Sequence, residues 1–355
     1  MQNLMDLSIE EIAALLAQWG EPKFRARQVE SWIDKGVKPL EMTNLPQGLR
    51  ARLAELPWGG VEIVEKRQSA IDDTAKYLFA LEDGNIIEGV LMRYHHGNTL
   101  CLSTQVGCRM GCAFCASTLE GRVRNLNHGE MLGQVLAVER DEADNPKNAG
   151  RNRAVTNLVL MGSGEPLDNF EQVVRFLWRV SEAGEGKPNI SPRNISLSTC
   201  GLVPEIRRLP QEAPHITLCI SLHAHDDETR SRLMPINNRY PIDQVLQAAR
   251  FYQQSTGRRI IFEYALIAGV NDRNEDVLGL SQRLKGIPCH VNLIPLNPVK
   301  ERSLNGSSRA AAAQFARRLG EQGLSATVRR ELGTDIEGAC GQLRRRVLAK
   351  DQEEG

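Results

Sequence analysis

The run CLSTQVGCRMGCAFC, residues 101–115, decides how the rest of the chain is read. Cys108, Cys112 and Cys115 stand in the spacing C-x3-C-x2-C. Thiolates are soft ligands, and a spacing this short lets one loop wrap one metal centre. A structural zinc site takes four ligands, usually two C-x2-C pairs or cysteines with histidine. The loop lacks the fourth thiol, and the nearest downstream histidine is His128. Three thiolates suit a 4Fe-4S cube better, because they hold three irons and leave the fourth open to a small molecule.

Outward from this loop the pattern is strand, then helix. Strand-like apolar runs fall at 100–104, 156–161, 194–198, 216–222, 259–267 and 290–296, with helical periodicity at 130–140, 169–180, 243–252, 276–284 and 308–319. Strands that alternate with helices run parallel, in a barrel or a doubly wound sheet. Six such units predict an α/β fold, an incomplete TIM-like (β/α)6 barrel, with a further strand near 326–331. Barrel chemistry gathers at the C-terminal strand ends, and the cysteine loop follows the first strand.

Upstream, Ser8 and Glu11 form a capping box, followed by Ile12, Leu15, Leu16 and Trp19 at helical spacing. Phe24, Val29, Trp32 and Ile33 mark a second helix stopped by Gly36, and residues 45–56 a third ended by Pro57. Three strands follow at 61–67, 75–82 and 86–93, with an Asp83-Gly84 turn between the last two. The chain is thus expected to divide into a helical accessory domain (1–57), a β-hairpin linker region (58–98), a core (99–345) and a charged tail (346–355).

The 355 residues carry 44 Lys+Arg against 44 Asp+Glu, so bulk charge does not hold the protein to nucleic acid, although a local basic groove remains open. No apolar run approaches membrane-span length and no signal-peptide layout opens the chain. Eight cysteines, three of them clustered, read as metal and redox chemistry in a reducing compartment, hence the cytoplasm.

Further motifs fall at predicted strand ends. MGSGEPLDN (161–169) offers glycines for close backbone approach and Glu165 for an ammonium group. LSTCG (197–201), ISLHA (220–224) and LIPLNP (293–298) add hydroxyls, His223 and Asn297. GTDIEGACGQL (333–343) sets Cys340 between Ala339 and Gly341. Cys200, Cys219 and Cys289 read as small buried hydrophobes. Glu88, in IIEGVLM, reads by itself as the solvent face of a strand.

Together these motifs resemble the radical S-adenosylmethionine (SAM) enzymes that methylate C2 of adenosine in 23S ribosomal RNA and in tRNA. TLCLSTQVGC, CAFCAS, RNLNHGEMLGQV, LMGSGEPLDN, SLSTCG, SLHA, PIN, VNLIPLNP and TDIEGACGQL carry the resemblance over nearly the whole chain. Ser163 departs from the family's frequent methionine, and Cys200 from a common serine. The resemblance implies that Cys108, Cys112 and Cys115 bind a 4Fe-4S cluster. It makes Gly164, Glu165, Ser198, Ser221, Leu222, His223 and Asn297 the SAM contacts. It makes Cys340 an S-methylcysteine carrier, Cys101 the thiol that resolves the RNA adduct by forming a disulfide, and Glu88 the general base. Two SAM molecules are used per methylation: the first methylates Cys340, and the second activates that methyl group so that it adds to C2. The implied partners are 23S rRNA and tRNA, with an electron donor such as flavodoxin or ferredoxin, and the enzyme is expected to be a monomer that meets no membrane.

Arg122, Arg124, Lys147, Arg151, Arg153, Arg344, Arg345 and Arg346 are candidates to hold RNA, each alone reading as a solvated surface charge; Lys23, Arg25, Arg27, Arg50 and Arg52 add a basic set in the helical domain. Three rival readings stand beside this one: C8 methylation of the same rRNA adenosine, a zinc-stabilised RNA-binding protein without catalysis, and a radical-SAM activator of another protein. The full helical domain and LMGSGEPLDN favour C2 over C8, and Cys101 with Cys340 argues against the activator.

Overall fold

The computed structural model describes residues 3–336 apart from 185, 298 and 300. Cys340, Arg344, Arg345 and Arg346 lie outside the described residues.

Ser8 starts the first helix. Its Oγ accepts the Glu11 amide at 3.2 Å, and the Glu11 carboxylate accepts the Ser8 amide at 2.8 Å, satisfying two donors that a helix start leaves open. α1 (Ile9–Gln18), α2 (Phe24–Ile33) and α3 (Gln47–Ala54) bury Ile12, Leu16, Val29, Ile33, Leu49 and Leu53. Gly36, at φ +66, turns the chain after α2. Phe24 opens α2 but is exposed, with the Arg25 guanidinium over its ring, so its place in the apolar spacing does not make it a core residue.

β1 (Glu62–Gln68), β2 (Ala75–Ala80), β3 (Ile86–Tyr94) and β4 (Gly97–Cys101) pair antiparallel in sequence order. β5 (Gln105–Gly107) and β6 (Arg122–Asn125) form a small separate ribbon around the cysteine loop. The chain then alternates: α4 (His128–Asp141), β7 (Asn157–Leu160), α5 (Phe170–Ser181), β8 (Ile195–Thr199), α6 (Val203–Glu212) and β9 (Thr217–Ser221). It continues with α7 (Asp227–Leu233), α8 (Ile242–Thr256), β10 (Ile260–Leu266), α9 (Asn274–Leu284), β11 (Cys289–Pro295), α10 (Arg309–Glu321) and β12 (Ala326–Val328).

The main sheet runs β1-β2-β3-β4-β7-β8-β9-β10-β11-β12. From β4 onward every pairing is parallel, as the alternating pattern predicts for an incomplete barrel. The strands expected as a β-hairpin linker region join the main sheet. β1 to β4 are hydrogen-bonded into it, because β4 pairs with β3 on one side and β7 on the other. α6, α7 and the β5–β6 ribbon are additions to the sequence reading. Pro204 and Pro210 mask α6: Pro204 sits in the first turn, where a proline costs little, whereas Pro210 lies inside the helix and removes one intrahelical hydrogen bond.

Buried polar side chains lock the strand ends. Gln134 on α4 accepts the Ser103 amide and donates to the Ser103 carbonyl, both at 3.0 Å. Ser103 Oγ donates to the Glu88 carbonyl at 2.8 Å and accepts the Ser163 amide at 2.9 Å. The segment after β4 is thereby stitched to β3 and to the turn after β7.

Candidate active site

The C-terminal ends of the parallel strands enclose a chamber of about 360 Å³, within the ~300–1,000 Å³ usual for small-molecule sites. Cys101, Cys108, Cys112, Cys115, Gly164, Glu165, Ser198, Ser221, His223 and Asn297 all line it. Among the described residues, two predicted ones are not part of the lining. Leu222 is fully buried and contributes backbone: its amide donates to the Glu263 carbonyl at 3.0 Å and its own carbonyl accepts from Arg230. Glu88 is not on a solvent face. It is buried on β3, two residues from the chamber-lining Val90, with Oε2 3.2 Å from Nζ of the fully buried Lys76.

The cysteine loop is fixed by backbone contacts. Gly107, at φ +72, packs so tightly that an added Cβ would sit 2.0 Å from the Gly121 carbonyl oxygen. The Cys108 amide donates to that same oxygen, and the Ala113 amide to the Leu233 carbonyl. Thr118 Oγ1 donates to the Cys112 and Cys115 carbonyls at 3.2 and 2.9 Å. Phe114, before the third cysteine, meets the His223 ring edge to face at 4.9 Å. Burial pushes the Cys108 thiol up to about 12 and raises Cys112 as well. Among the described residues no group of three His, Cys, Asp or Glu is set to hold a metal ion; the three thiols instead share one chamber wall. Thiols so desolvated ionise readily only against a strong positive centre, which a multi-iron cluster supplies. The donor set therefore fits an iron–sulfur cluster.

In the same chamber, Gly164 at φ +113 brings the turn after β7 against Gln105, where a Cβ would lie 2.7 Å from the Gln105 side chain. The Glu165 carboxylate is buried and spans two elements, accepting the Leu167 amide at 3.0 Å and the Cys200 amide at 2.7 Å. Burial raises its pKa, so a cationic group brought beside it would be welcome. His223 sits at φ +57, and its Nδ1 accepts the Ala265 amide at 2.9 Å. The neutral ring therefore carries its proton on Nε2. Burial, with the Arg230 charge second, pushes its pKa down to about 3. Cys200 and Cys219 are buried as expected, whereas Cys289 is only half-buried.

Two buried side chains at the site escaped the sequence reading. Arg230 is fully buried and donates to the carbonyls of Cys200, Ser221, Leu222 and Tyr240 and to Asn237 Oδ1. Glu263 lies on β10 in the chamber wall; its only sequence signal is a carboxylate inside the apolar run IIFEYAL. Several candidate RNA contacts prove to be engaged within the fold. Arg122 pairs with Asp168, Arg124 with Asp83 and Glu130, Lys147 with Asp73, and Arg151 donates to Asn98. In the helical domain Arg52 stacks on Trp19 and Arg50 donates to the Leu40 carbonyl.

A parallel strand-end chamber with three thiols on the loop after the first parallel strand is the arrangement of a radical SAM enzyme. In agreement, the family model of the Radical SAM superfamily matches residues 102–280, and that of the ribosomal RNA large subunit methyltransferase N-terminal domain matches residues 2–57. A radical SAM methyltransferase structure from Sphaerobacter thermophilus superposes with a TM-score of 0.89 at 43% identity, over 96% of this chain and 99% of that one. A protein of Alkaliphilus oremlandii, named a probable dual-specificity RNA methyltransferase RlmN, is 50% identical over 98% of both chains. One of Clostridium botulinum with the same name is 48% identical over the full length of both. The chain belongs to the RlmN family of radical SAM enzymes.

Proposed function

We propose that the protein methylates C2 of adenosine in RNA, in 23S rRNA and at the adenosine 3′ to the anticodon in tRNA. The observation that carries this reading is the single chamber into which three thiols, Glu165 and Cys101 all face. The relatives' name, dual-specificity RNA methyltransferase, supports RNA as substrate and more than one kind of it. On this reading residues 1–57 form an accessory domain that helps to seat the RNA.

Cys108, Cys112 and Cys115 would hold a 4Fe-4S cluster, with SAM against Gly164, Glu165, Ser198, Ser221, the backbone at Leu222, His223 and Asn297. Bound there, the pair supplies one-electron chemistry at a methyl group, which the electron-poor C2 carbon requires. The remaining work falls to the chain's own side chains. Cys340 carries the methyl carbon as a thioether and becomes bonded through it to C2. Glu88 takes the C2 proton; it lies on the same face of β3 as Val90, which lines the chamber. The Cys101 thiolate attacks the Cys340 sulfur. The new sulfur–sulfur bond forms as the sulfur–carbon bond breaks, and the released carbon is protonated to the methyl group. The target base reaches the chamber only by leaving its stack. An external donor such as flavodoxin or ferredoxin would supply electrons, and the protein would act as a single copy in the cytoplasm; no helix among the described residues is long and apolar enough to cross a membrane.

Nucleoside mass spectrometry of rRNA and tRNA from cells lacking the gene tests the substrate. Loss of 2-methyladenosine from both RNAs, restored by the gene, is expected; unchanged 2-methyladenosine, or loss of an 8-methyl product, overturns the reading. Cys101→Ala tests the residue roles. It should accumulate a ribonuclease-sensitive RNA adduct on denaturing gels, whereas Cys340→Ala should form none.

A further inference from the structure

Lys76 on β2 is a fully buried lysine, and its Nζ lies 3.2 Å from Oε2 of the buried Glu88 on β3. The register shows which way the pair faces. Lys76 stands opposite Val90, and Val90 stands opposite Cys101. Residues paired in this way share a face of the sheet. Glu88, two residues from Val90, is on that face too. Val90 and Cys101 line the chamber. The ammonium is therefore built into the chamber side of the sheet, one strand further from Cys101 than Glu88 is.

Stability does not account for the pair. Burying two opposite charges costs about what their attraction returns, and apolar residues of similar size often serve a fold as well or better. The pair also ties together nothing new, because the ladder from Ala75–Leu91 to Ala80–Ile86 already joins β2 to β3. The other face of β2 shows a charged contact that does serve the fold. There Tyr77 Oη donates to Asp141 and Glu142 at 2.9 and 3.0 Å, and Lys66 bonds the same two carboxylates, joining β1 and β2 to the end of α4. What a buried ammonium does that no apolar residue could is fix one oxygen of a carboxylate and favour its charged form. We propose that Lys76 is the positioning residue for the proton acceptor of the methyl transfer, gripping Glu88 by Oε2 so that the carboxylate meets the C2 proton charged and in one orientation. Lys76 keeps its own protons; the proton from C2 passes to Glu88 alone. This rests on the role proposed above for Glu88 and adds the residue that holds it.

The test is single-turnover kinetics, without oxygen, of the iron-loaded protein with SAM and an unmodified tRNA transcript. Wild type is compared with Lys76→Gln, Lys76→Arg, Glu88→Gln and the double variant Lys76→Gln/Glu88→Gln. Two products are read: methylated Cys340 by peptide mass spectrometry, and 2-methyladenosine in the RNA. Only the second needs a proton acceptor at C2. Lys76→Gln should methylate Cys340 at about the wild-type rate but form 2-methyladenosine roughly a hundredfold more slowly, the low end of what a general base contributes. Lys76→Arg, which keeps the charge in a different shape, should fall between the two. In the Glu88→Gln background the Lys76→Gln change should cost nothing further, because a residue that acts through another has no effect once that other is gone. Equal slowing of both products in Lys76→Gln overturns the inference, as does a wild-type rate for both, or a further slowing in the double variant. A Lys76→Gln protein that does not fold counts against it too, since the ammonium would then serve the fold; Lys76→Arg still reads whether the two products part. Wild-type formation of 2-methyladenosine by Glu88→Gln would instead strike the role proposed for Glu88 itself.

Discussion

His223 shows how much one backbone amide can decide. With Nδ1 committed to the Ala265 amide, the ring offers a fixed N–H from Nε2 and stays neutral down to about pH 3. The unfolded chain, at its ordinary value of 6.5, takes up a proton long before the folded one does. Below 6.5 the unfolded state therefore binds more protons, and stability is lost as pH falls through the window from 6.5 toward 3. Between pH 6.5 and 5 this one residue should remove about 2 kcal/mol. Denaturant unfolding at the two pH values should show that difference shrink in His223→Gln; an equal acid loss in both proteins would mean that other groups carry it. His223 and Glu165 were legible because they sit in short motifs at strand ends. Glu263 was not: a carboxylate inside a strand is ambiguous until the face it points to is known.

At the scale of elements, Arg230 gathers what the strands leave open. The carbonyls of Cys200, Ser221 and Leu222 come from the ends of β8 and β9, and one guanidinium from α7 answers all three. Every acceptor it meets among these is neutral, and burial lowers its pKa. Arg230→Met should leave several buried carbonyls without donors and cost about 3–5 kcal/mol, seen as a lower denaturant midpoint; a loss under ~1 kcal/mol would mean that water replaces the side chain. Periodicity could not have announced this. α7 is seven residues long, too short for a helical repeat. The strand–helix alternation, by contrast, was plain, because parallel strands buried on both faces are written as near-continuous apolar runs. Alternation identifies β2 and β3 as strands but does not say which sheet they join.

On the scale of the whole molecule, the chain's last described residues are tied back to an early hairpin. Asp335 accepts from Ser69 Oγ at 2.7 Å and from the Ala70 amide at 2.9 Å, while Asp72 accepts the Gly333 amide at 2.7 Å. Glu331 and Leu332, just before, line the chamber. The segment that leads to Cys340 thus sets out from a fixed point. On the proposed role of Cys340 as methyl carrier, Asp335→Ala should leave iron content and SAM affinity unchanged but slow methylation of Cys340 by roughly tenfold or more, because reacting atoms must be held to within an ångström or so. Peptide mass spectrometry of the S-methylcysteine reads this directly; wild-type methylation in the variant would show that the clasp does not position the carrier.

The sheet that holds all of this is open, and open sheets recruit strange strands. Each edge carries unpaired peptide groups that a partly unfolded neighbour can adopt, the first step toward amyloid-like stacking. Both edges of the main sheet among the described residues are poor templates. β12 is only three residues long. β1 is longer, but it carries Glu62, Glu65, Lys66 and Arg67, and its register with β2 slips between Ile63 and Glu65. A barrel left unclosed is guarded from its own kind by charge on one flank and brevity on the other.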